Sequence, residues 1–324
     1  MSEREPVPVA VVGGGNMGAN HIRVYEELPA AELVGVVEPD PERAEEIADE
    51  YGVPVVDRVV DLKGARAATV AVPNRLHREV AETCIDEGMD VLVEKPLATT
   101  VEDAEAIVEA AEEAGVVLQV GHIERFNPAV EVLGEILKNE ETIALETHRL
   151  GPFNEHLSDE SVVFDLMIHD IDIIESIVDS EVEHADAVGA TSRSNKLDHV
   201  TANLKFENGV VGTATASQVT HGKIRNLTAT AQNAYIELDY QDQNVVVHRR
   251  GLGQRTTVEG RTGYRTETVS EIPFIPTREP LKKEIEHFLD RVHDRKVPRV
   301  SGTDGVRSVE RAFEIIEQAR QTTN

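Results

Sequence analysis

The 324-residue sequence contains no tryptophan, one cysteine and no long apolar run, and the last two features each exclude a class of protein. With Cys84 as the only cysteine, an internal disulfide framework and a cysteine-based zinc site are excluded, which favours a reducing compartment. No apolar run approaches the ~18 residues that span a bilayer, and the first residues lack the layout of a secretory signal. We therefore expect a cytoplasmic protein that does not cross a membrane.

Positive charge is also scarce, because 32 Lys and Arg residues stand against 60 Asp and Glu residues, giving a net charge of −28. This charge repels phosphate backbones and anionic lipid head groups, so nucleic acids and membrane surfaces are poor partners. The acidic bias and the small share of Lys indicate a halophilic protein from a high-salt cytoplasm, where a Debye length of about 3 Å at 1 M salt suppresses surface repulsion. An ordinary acidic protein is the alternative.

Residues 7–120 alternate short apolar runs with longer amphipathic stretches, a pattern typical of parallel strands and crossover helices. The predicted strands are 7–12, 33–37, 69–72, 91–93 and 116–120. The predicted helices are 41–51, 76–87 and 101–114, each followed by a glycine. These elements predict an α/β Rossmann domain with a parallel, doubly wound sheet over residues 1–121.

After about residue 140, polar and apolar residues alternate instead, which indicates antiparallel strands with one solvated face. Asn208-Gly209 joins two such segments as a hairpin turn. The predicted strands are 199–206, 210–218, 227–231, 235–239 and 244–249, and the predicted helices are 162–177, 281–293 and 304–321. We therefore expect an α+β domain with a mostly antiparallel open sheet over residues 122–324.

A glycine-rich segment, Gly13-x-Gly15-x-x-Gly18, follows the first predicted strand and opens a helix. In a dinucleotide site, Gly13 makes the tight turn, Gly15 admits the pyrophosphate and Gly18 lets helix and strand pack closely. Glu38 ends the next strand, where its carboxylate accepts ribose hydroxyls and repels a 2′-phosphate. This pattern predicts NAD rather than NADP, although Arg43 is near enough to compensate; a turn without a dinucleotide is the alternative.

Two further predicted strands end in polar residues, Pro73-Asn74 before His77 and the tripeptide Glu94-Lys95-Pro96. Ligands of parallel sheets bind beyond the carboxyl ends of the strands. Pro96 keeps Lys95 extended, so we expect its ammonium group to project into the cofactor crevice and bind a substrate hydroxyl. The alternative is an exposed lysine paired with Glu94.

Asp165 and His169 lie four residues apart in a predicted helix whose isoleucines form one face, so the pair shares a neighbouring face. An imidazole with a pKa of about 6.5 is suited to accept the proton of an alcohol, and a carboxylate one turn away can orient it. A surface ion pair is the alternative interpretation.

These motifs, Gly13–Gly18, Glu94-Lys95-Pro96 and Asp165-x-x-x-His169, resemble in order and spacing those of the Gfo/Idh/MocA family of oxidoreductases. The resemblance covers nearly the whole chain and implies NAD(P)-dependent oxidation or reduction of a sugar or cyclitol carbon. It implies a catalytic set of Lys95, Asp165 and His169, a cis bond before Pro96, and a homodimer or homotetramer formed through the open sheet. It also implies a cofactor site that includes Gly13, Gly15, Asn16, Met17, Gly18, Glu38, Pro73, Asn74, His77, Glu94 and Lys95.

The segment from His122 to Pro128 resembles that of sugar-nucleotide members of the family, which oxidise C3 of UDP-N-acetylglucosamine or its uronate. Segments 149–153 and 278–281 strengthen this resemblance. It implies a substrate site of Lys95, His122, Arg125, Phe126, Asn127, Arg149, Asp165 and His169. The residues near His122 would equally suit packing at a helix entry.

Three other functions remain open for a chain with these motifs: a free-sugar or cyclitol dehydrogenase, an NAD-dependent glycoside hydrolase of the same family, and a catalytically silent dinucleotide sensor. The twelve histidines show no convincing metal-ligand spacing, so we expect no metal. Net NADH formation separates these alternatives, because only a dehydrogenase accumulates NADH.

Overall fold

The computed structural model describes residues 5–153, 161–251, 254–258, 261–265 and 268–322. The chain forms two compact units. The first unit consists of Met1–Phe126 and Glu279–Glu310, and the second unit consists of Asn127–Arg278 and Arg311–Asn324. In the described residues, no helix combines the length and apolar character that a membrane span requires.

The first unit begins with alternating strands and helices, as the sequence predicts. They are β1 (Val7–Val12), α1 (Asn16–Glu27), β2 (Ala31–Val37), α2 (Pro41–Tyr51), β3 (Val55–Val56), β4 (Ala67–Val70), α3 (His77–Asp86), β5 (Asp90–Glu94), α4 (Val101–Ala114) and β6 (Leu118–Gly121). The six strands form a parallel sheet in the order β3-β2-β1-β4-β5-β6. The predicted parallel α/β fold is confirmed.

Local signals set the helix ends of this unit. The Asp40 side chain caps α2 by accepting a 3.0 Å hydrogen bond from the Arg43 backbone N–H, and the Thr100 side chain caps α4 in the same way. Both helices stop at glycines in the left-handed conformation, Gly52 and Gly115. These caps explain why the predicted bounds of both helices agree with the structure.

The second unit is built on a larger, mostly antiparallel sheet. Its elements are α5 (Pro128–Leu137), β7 (Thr142–Leu150), α6 (Ile168–Val178), β8 (Val182–Ala190), β9 (His199–Phe206), β10 (Val211–Ser217), β11 (Ile224–Ala231), β12 (Ala234–Asp239), β13 (Asn244–Arg250), β14 (Gln254–Val258), β15 (Arg261–Arg265) and β16 (Thr268–Glu271). Eight strands follow the order β16-β13-β12-β11-β7-β10-β9-β8, and only β7 and β10 pair in parallel within that sheet. The predicted antiparallel sheet is confirmed, with the Asn208-Gly209 turn between β9 and β10.

The helix predicted over 162–177 differs from a regular α-helix at its start. Val163–Met167 forms a single π-helical turn, and α6 follows directly from it. Asp165 therefore lies in the wide turn, whereas His169 lies in the first turn of α6. Such π turns occur frequently at functional sites.

Two helices complete the chain, α7 (Pro280–Asp294) and α8 (Gly302–Thr322). The apolar face of α7 packs into the core of the first unit with residues of β1 and α1; the buried residues of this face are Leu281, Ile285, Phe288, Leu289 and Val292. The compact units therefore differ from the linear division at residue 121, because α7 buries its apolar stripe against the parallel sheet.

Candidate active site

The glycine-rich turn between β1 and α1 leaves almost no room for side chains. Gly13 has a φ of +100°, and a methyl group on Gly18 would overlap the carbonyl oxygen of Gly13. Gly15 is exposed, and a methyl group there would meet nothing within 4 Å, so the backbone is open on that side.

The start of α1 is also free of competing groups in the described structure. Asn16 is exposed and Met17 is half-buried, and neither a side-chain cap nor an acidic residue lies in the first turn. The first backbone N–H groups of a helix attract anions. These residues therefore fit the pyrophosphate of a dinucleotide, as the glycine pattern predicts.

Glu38 follows β2 and is fixed beside the glycine-rich turn. Its two carboxylate oxygens accept hydrogen bonds from the backbone N–H groups of Gly14 at 2.8 Å and Asp40 at 2.9 Å. Arg43 donates to the Gly14 carbonyl at 2.8 Å and pairs with Glu46 at 2.6 Å. The Arg43 guanidinium is thus bound to other groups of the protein, while the Glu38 carboxylate is held next to the glycine-rich turn.

The end of β5 at Glu94-Lys95 is held by hydrogen bonds to the Glu94 carboxylate. The Lys95–Pro96 bond is cis, as the family resemblance implies. Glu94 is buried and accepts a hydrogen bond from the His21 ring at 2.7 Å, and Lys95 is half-buried.

His77 braces the neighbouring strand ends. Its buried ring lies 2.8 Å from the Pro96 carbonyl and 3.0 Å from the Val72 carbonyl, and burial lowers the pKa of this imidazole. Pro73 and Asn74 form the start of the short helical turn between β4 and α3, where Pro73 is exposed and Asn74 half-buried. His77 thus ties β4 to the segment after Lys95, and direct contact of 73–77 with a cofactor stays a prediction.

The residues predicted near His122 have packing roles that the structure makes visible. Arg125 forms a long 3.5 Å contact with Asp304, and the guanidinium of Arg299 lies over the buried Phe126 ring. His122 itself is buried in the first unit. In the second unit, Asn127 caps α5 by accepting from the Ala129 N–H at 3.1 Å. A substrate role for any of these residues stays a prediction.

Arg149 lies on β7 and is buried in an ion pair. Its Nε and one Nη donate to the two oxygens of Asp170 at 2.9 and 3.0 Å, and its guanidinium lies over the Tyr240 ring. Both members of the pair are at most 4% exposed. This geometry supports the packing of β7 against α6, and contact with substrate stays a prediction.

The predicted acid–base pair lies in the second unit. Asp165 accepts a 2.8 Å hydrogen bond from the side-chain amide of Gln218, which fixes one carboxylate oxygen. Both Asp165 and His169 are half-buried, so the imidazole is sheltered without being sealed from solvent.

Gln218 and His21 stand in none of the sequence motifs, yet each holds a predicted functional carboxylate, Asp165 and Glu94 respectively. His21 lies three residues after Gly18 on the same helix, and that spacing is the only local signal that points to it. Gln218 lies 53 residues from Asp165, so no spacing rule links them. Among the residues that the structure describes, no cluster of three His, Cys, Asp or Glu residues is arranged to hold a metal ion.

Two family models match the chain. Residues 7–122 match the model described as an oxidoreductase family with an NAD-binding Rossmann fold, and residues 146–237 match the GFO/IDH/MocA C-terminal domain. The matches follow the same order as the parallel and antiparallel sheets described above.

The chain is similar over nearly its whole length to UDP-N-acetylglucosamine 3-dehydrogenase of Acidithiobacillus ferrooxidans, with 32% identity covering 94% of this chain and 95% of the relative. A solved structure of UDP-N-acetylglucosamine 3-dehydrogenase from the same organism superposes with a TM-score of 0.89 at 29% identity and covers 97% of this chain and 98% of that one. The scyllo-inositol 2-dehydrogenase (NAD(+)) of Bacillus subtilis is 26% identical and covers 94% of this chain and 91% of that one.

Proposed function

Because the chain belongs to the Gfo/Idh/MocA oxidoreductase family and acts on CH–OH donors, we propose that it uses NAD to oxidise a secondary hydroxyl of a sugar nucleotide, at C3 of UDP-N-acetylglucosamine. The observation that carries this proposal is the 32% identity over 94% of the chain with a relative of that activity. The Gly13–Gly18, Glu94-Lys95-Pro96 and Asp165/His169 motifs lie within the same chain in the family order.

The proposed chemistry divides the work among three side chains. His169 accepts the hydroxyl proton as the C–H bond breaks and a carbonyl forms at the same carbon. Lys95 donates a hydrogen bond to that oxygen, and Asp165 stabilises the resulting imidazolium. The bound nicotinamide cofactor supplies the hydride acceptor. Gln218 would keep Asp165 in the rotamer that this role requires, since it holds one carboxylate oxygen at 2.8 Å.

We propose NAD as the cofactor because of the charge beside the glycine-rich turn. Glu38 is anchored by two backbone N–H groups and presents a negative charge that repels a 2′-phosphate. The nearest cation along the chain, Arg43, is engaged by Gly14 and Glu46. In a thermal-shift titration, NAD should stabilise the protein more than NADP at equal concentration, and Glu38→Ala should narrow that gap. A larger shift with NADP would remove this role of Glu38.

The substrate is tested by following NADH formation with NAD and a panel of sugars. The panel contains UDP-N-acetylglucosamine, its uronate, free N-acetylglucosamine and myo- and scyllo-inositol. We expect the highest kcat/KM with a UDP-sugar. Preference for an inositol would favour the second candidate, a cyclitol dehydrogenase, which the similarity to scyllo-inositol 2-dehydrogenase supports. Sugar cleavage without net NADH would indicate a glycoside hydrolase, and cofactor binding without turnover on any sugar would indicate a sensor.

We further propose a homodimer or homotetramer formed through the eight-stranded sheet. Along β7, β8 and β12, buried residues alternate with exposed ones. The exposed positions include the apolar side chains of Val188 and Tyr235, which are 56% and 42% exposed. Covering such a face with a second copy removes apolar surface from water. Light scattering on the purified protein should give two or four times the monomer mass, and a monomer would contradict this proposal.

A further inference from the structure

Three titratable side chains of the first unit form a buried cluster around Glu94, the residue before Lys95, and only Glu94 belongs to a predicted motif. They are His21 on α1, Glu94 at the end of β5 and Glu284 on α7. His21 and Glu284 are fully buried, and Glu94 is 7% exposed. Buried ionisable groups are rarely retained without a role, because burying a charge costs free energy unless it is paired.

The donor and the acceptor of the hydrogen bond between His21 and Glu94 can be assigned. His21 Nε2 lies 2.7 Å from Glu94 Oε1, and a carboxylate oxygen accepts hydrogen bonds, so Nε2 carries the hydrogen. The other ring nitrogen, Nδ1, is buried without a hydrogen-bond partner among the described residues. A bare Nδ1 avoids burying an unpaired N–H group, which favours the tautomer that carries its hydrogen at Nε2.

Glu284 lies in the opposite situation. Both carboxyl oxygens are buried without a hydrogen-bond partner in the described part of the chain. Burial and, second, the negative charge of Glu94 raise the pKa of Glu284 well above its usual value. Burial without a hydrogen-bond partner therefore favours the protonated, neutral form of the Glu284 carboxyl group.

The Glu94 carboxylate is confined from several sides. Its Oε2 accepts a 3.3 Å hydrogen bond from the Lys95 backbone N–H, and a methyl group on Gly121 would lie 3.0–3.1 Å from the Glu94 Cα, Cδ and Oε2 atoms. His21 holds the remaining oxygen. A change in the rotamer of Glu94 would therefore disturb the peptide that leads into Lys95.

We propose that His21 and Glu284 are positioning residues for Glu94 and thereby for Lys95: His21 fixes the carboxylate rotamer, and neutral Glu284 leaves Glu94 as the only negative charge of the cluster. The proposal rests on the proposed function of Lys95. The groups that face Glu94 are His21 from α1, His77 from α3, Glu284 from α7 and the adjacent Lys95. Glu284 faces Glu94 and Tyr25.

The role of His21 is tested with two substitutions, one of which removes the side-chain N–H donor and one of which keeps such a donor. His21→Leu removes the N–H that reaches Glu94, whereas His21→Gln keeps an N–H donor at a similar reach. His21→Leu should weaken NAD affinity, measured by calorimetry, by about 10-fold to 100-fold, and it should lower kcat by a similar factor. This range corresponds to the loss of one hydrogen bond to a charged group. His21→Gln should restore both to within about threefold. Equal losses in the two variants would overturn the role of His21.

A matched control separates positioning from general loss of stability. Asp90 opens β5, the strand that Glu94 ends, and this carboxylate pairs with Arg295 at 2.6 Å and accepts from the Val117 N–H at 2.7 Å. Asp90→Asn should lower the melting temperature with little change in NAD affinity. If Asp90→Asn reduced NAD affinity as much as His21→Leu, the effect of His21 would be structural and the proposal wrong.

The neutral state of Glu284 is tested by the pH dependence of stability. An unfolded glutamate releases its proton near a pKa of about 4.3, whereas folded Glu284 retains it, so this group lowers the stability of the wild type as pH rises above that value. The equilibrium constant for folding should fall by about tenfold for each pH unit until the pH reaches the raised pKa of Glu284. Glu284→Gln keeps the shape of the side chain but does not titrate, so its stability relative to the wild type should increase as pH rises above about 5.

A stability gap that stays constant with pH would mean that Glu284 is ionised in the folded protein, and the charge assignment of the cluster would fail. Neither the calorimetric nor the stability test needs a sugar. A wild type that binds NAD but oxidises no sugar of the panel would refute the proposed function, while the contrast between His21→Leu and His21→Gln would still decide the positioning role.

Discussion

The two units differ in where their strands carry polar residues. In the first unit, β1, β4, β5 and β6 are buried almost throughout, so the polar residues that carry motifs follow the strand ends. In the second unit, strands such as β7 and β8 alternate buried and exposed positions along their length.

This difference determines how readily each site can be recognised. In the parallel sheet, a predicted functional group is adjacent in sequence to the strand that positions it, as Lys95 is to β5. In the second unit, the predicted site residue Asp165 lies in the π-helical turn rather than at a strand end. Distant partners occur in both units, since Gln218 holds Asp165 and His21 holds Glu94. The number of short sequence motifs in each unit therefore depends on the topology of its sheet as well as on the chemistry of its site.

The largest expected effect separates chemistry in the second unit from cofactor binding in the first. His169→Ala should lower kcat by about 10²–10⁴-fold, the contribution typical of a general base, with NAD affinity nearly unchanged. Steady-state kinetics and calorimetry measure the two quantities. His184→Ala, an exposed histidine of the same unit, is the matched control and should retain full activity. If His169→Ala also abolished NAD binding, the division of roles between the units would be wrong.

The next effect tests whether Arg149 is structural. Arg149→Met removes the guanidinium that forms an ion pair with the buried Asp170 carboxylate and should destabilise the protein by about 3–5 kcal/mol. The variant Arg149→Met/Asp170→Leu should recover much of that loss, because two apolar groups replace the pair. Denaturant unfolding measures both variants. Unchanged stability together with a raised KM for the sugar would instead support the substrate role predicted from sequence.

A smaller effect distinguishes two glycines of the same turn. Gly18→Ala forces a methyl group onto the Gly13 carbonyl and should cost about 1–3 kcal/mol of stability. Gly15→Ala meets no atom within 4 Å, so it should retain stability while it weakens NAD binding. Melting temperatures and NAD titrations of the two variants test this. Normal NAD affinity in Gly15→Ala would show that the pyrophosphate does not approach there.

The smallest expected effect concerns salt, which screens the surface charges of both units. With a net charge of −28, the melting temperature should rise by a few degrees as KCl increases from dilute buffer to molar concentration. Scanning calorimetry across a KCl series makes the measurement. A melting temperature that does not change with KCl would contradict the high-salt interpretation of the composition.

Local sequence determined a large part of this protein. The bounds of α2 and α4 follow from Asp40, Gly52, Thr100 and Gly115, because a cap and its helix lie within a few residues of each other. The glycine-rich turn is also local in part, since the positive φ of Gly13 and the contact of Gly18 with the Gly13 carbonyl oxygen both arise within the turn. The period of the apolar residues distinguished the parallel sheet from the antiparallel one.

Other features were decided only when distant segments packed together. The periodicity of α7 shows an apolar face, but the face does not specify which core receives it. The hydrogen bond between His21 and Glu94 joins residues 73 apart, and the pair of Arg149 and Asp170 joins β7 to α6. In the sequence, Glu284 is one more acidic residue on an amphipathic helix. Only its burial beside Glu94 raises the pKa of its carboxyl group, because desolvation penalises a charge according to its three-dimensional surroundings.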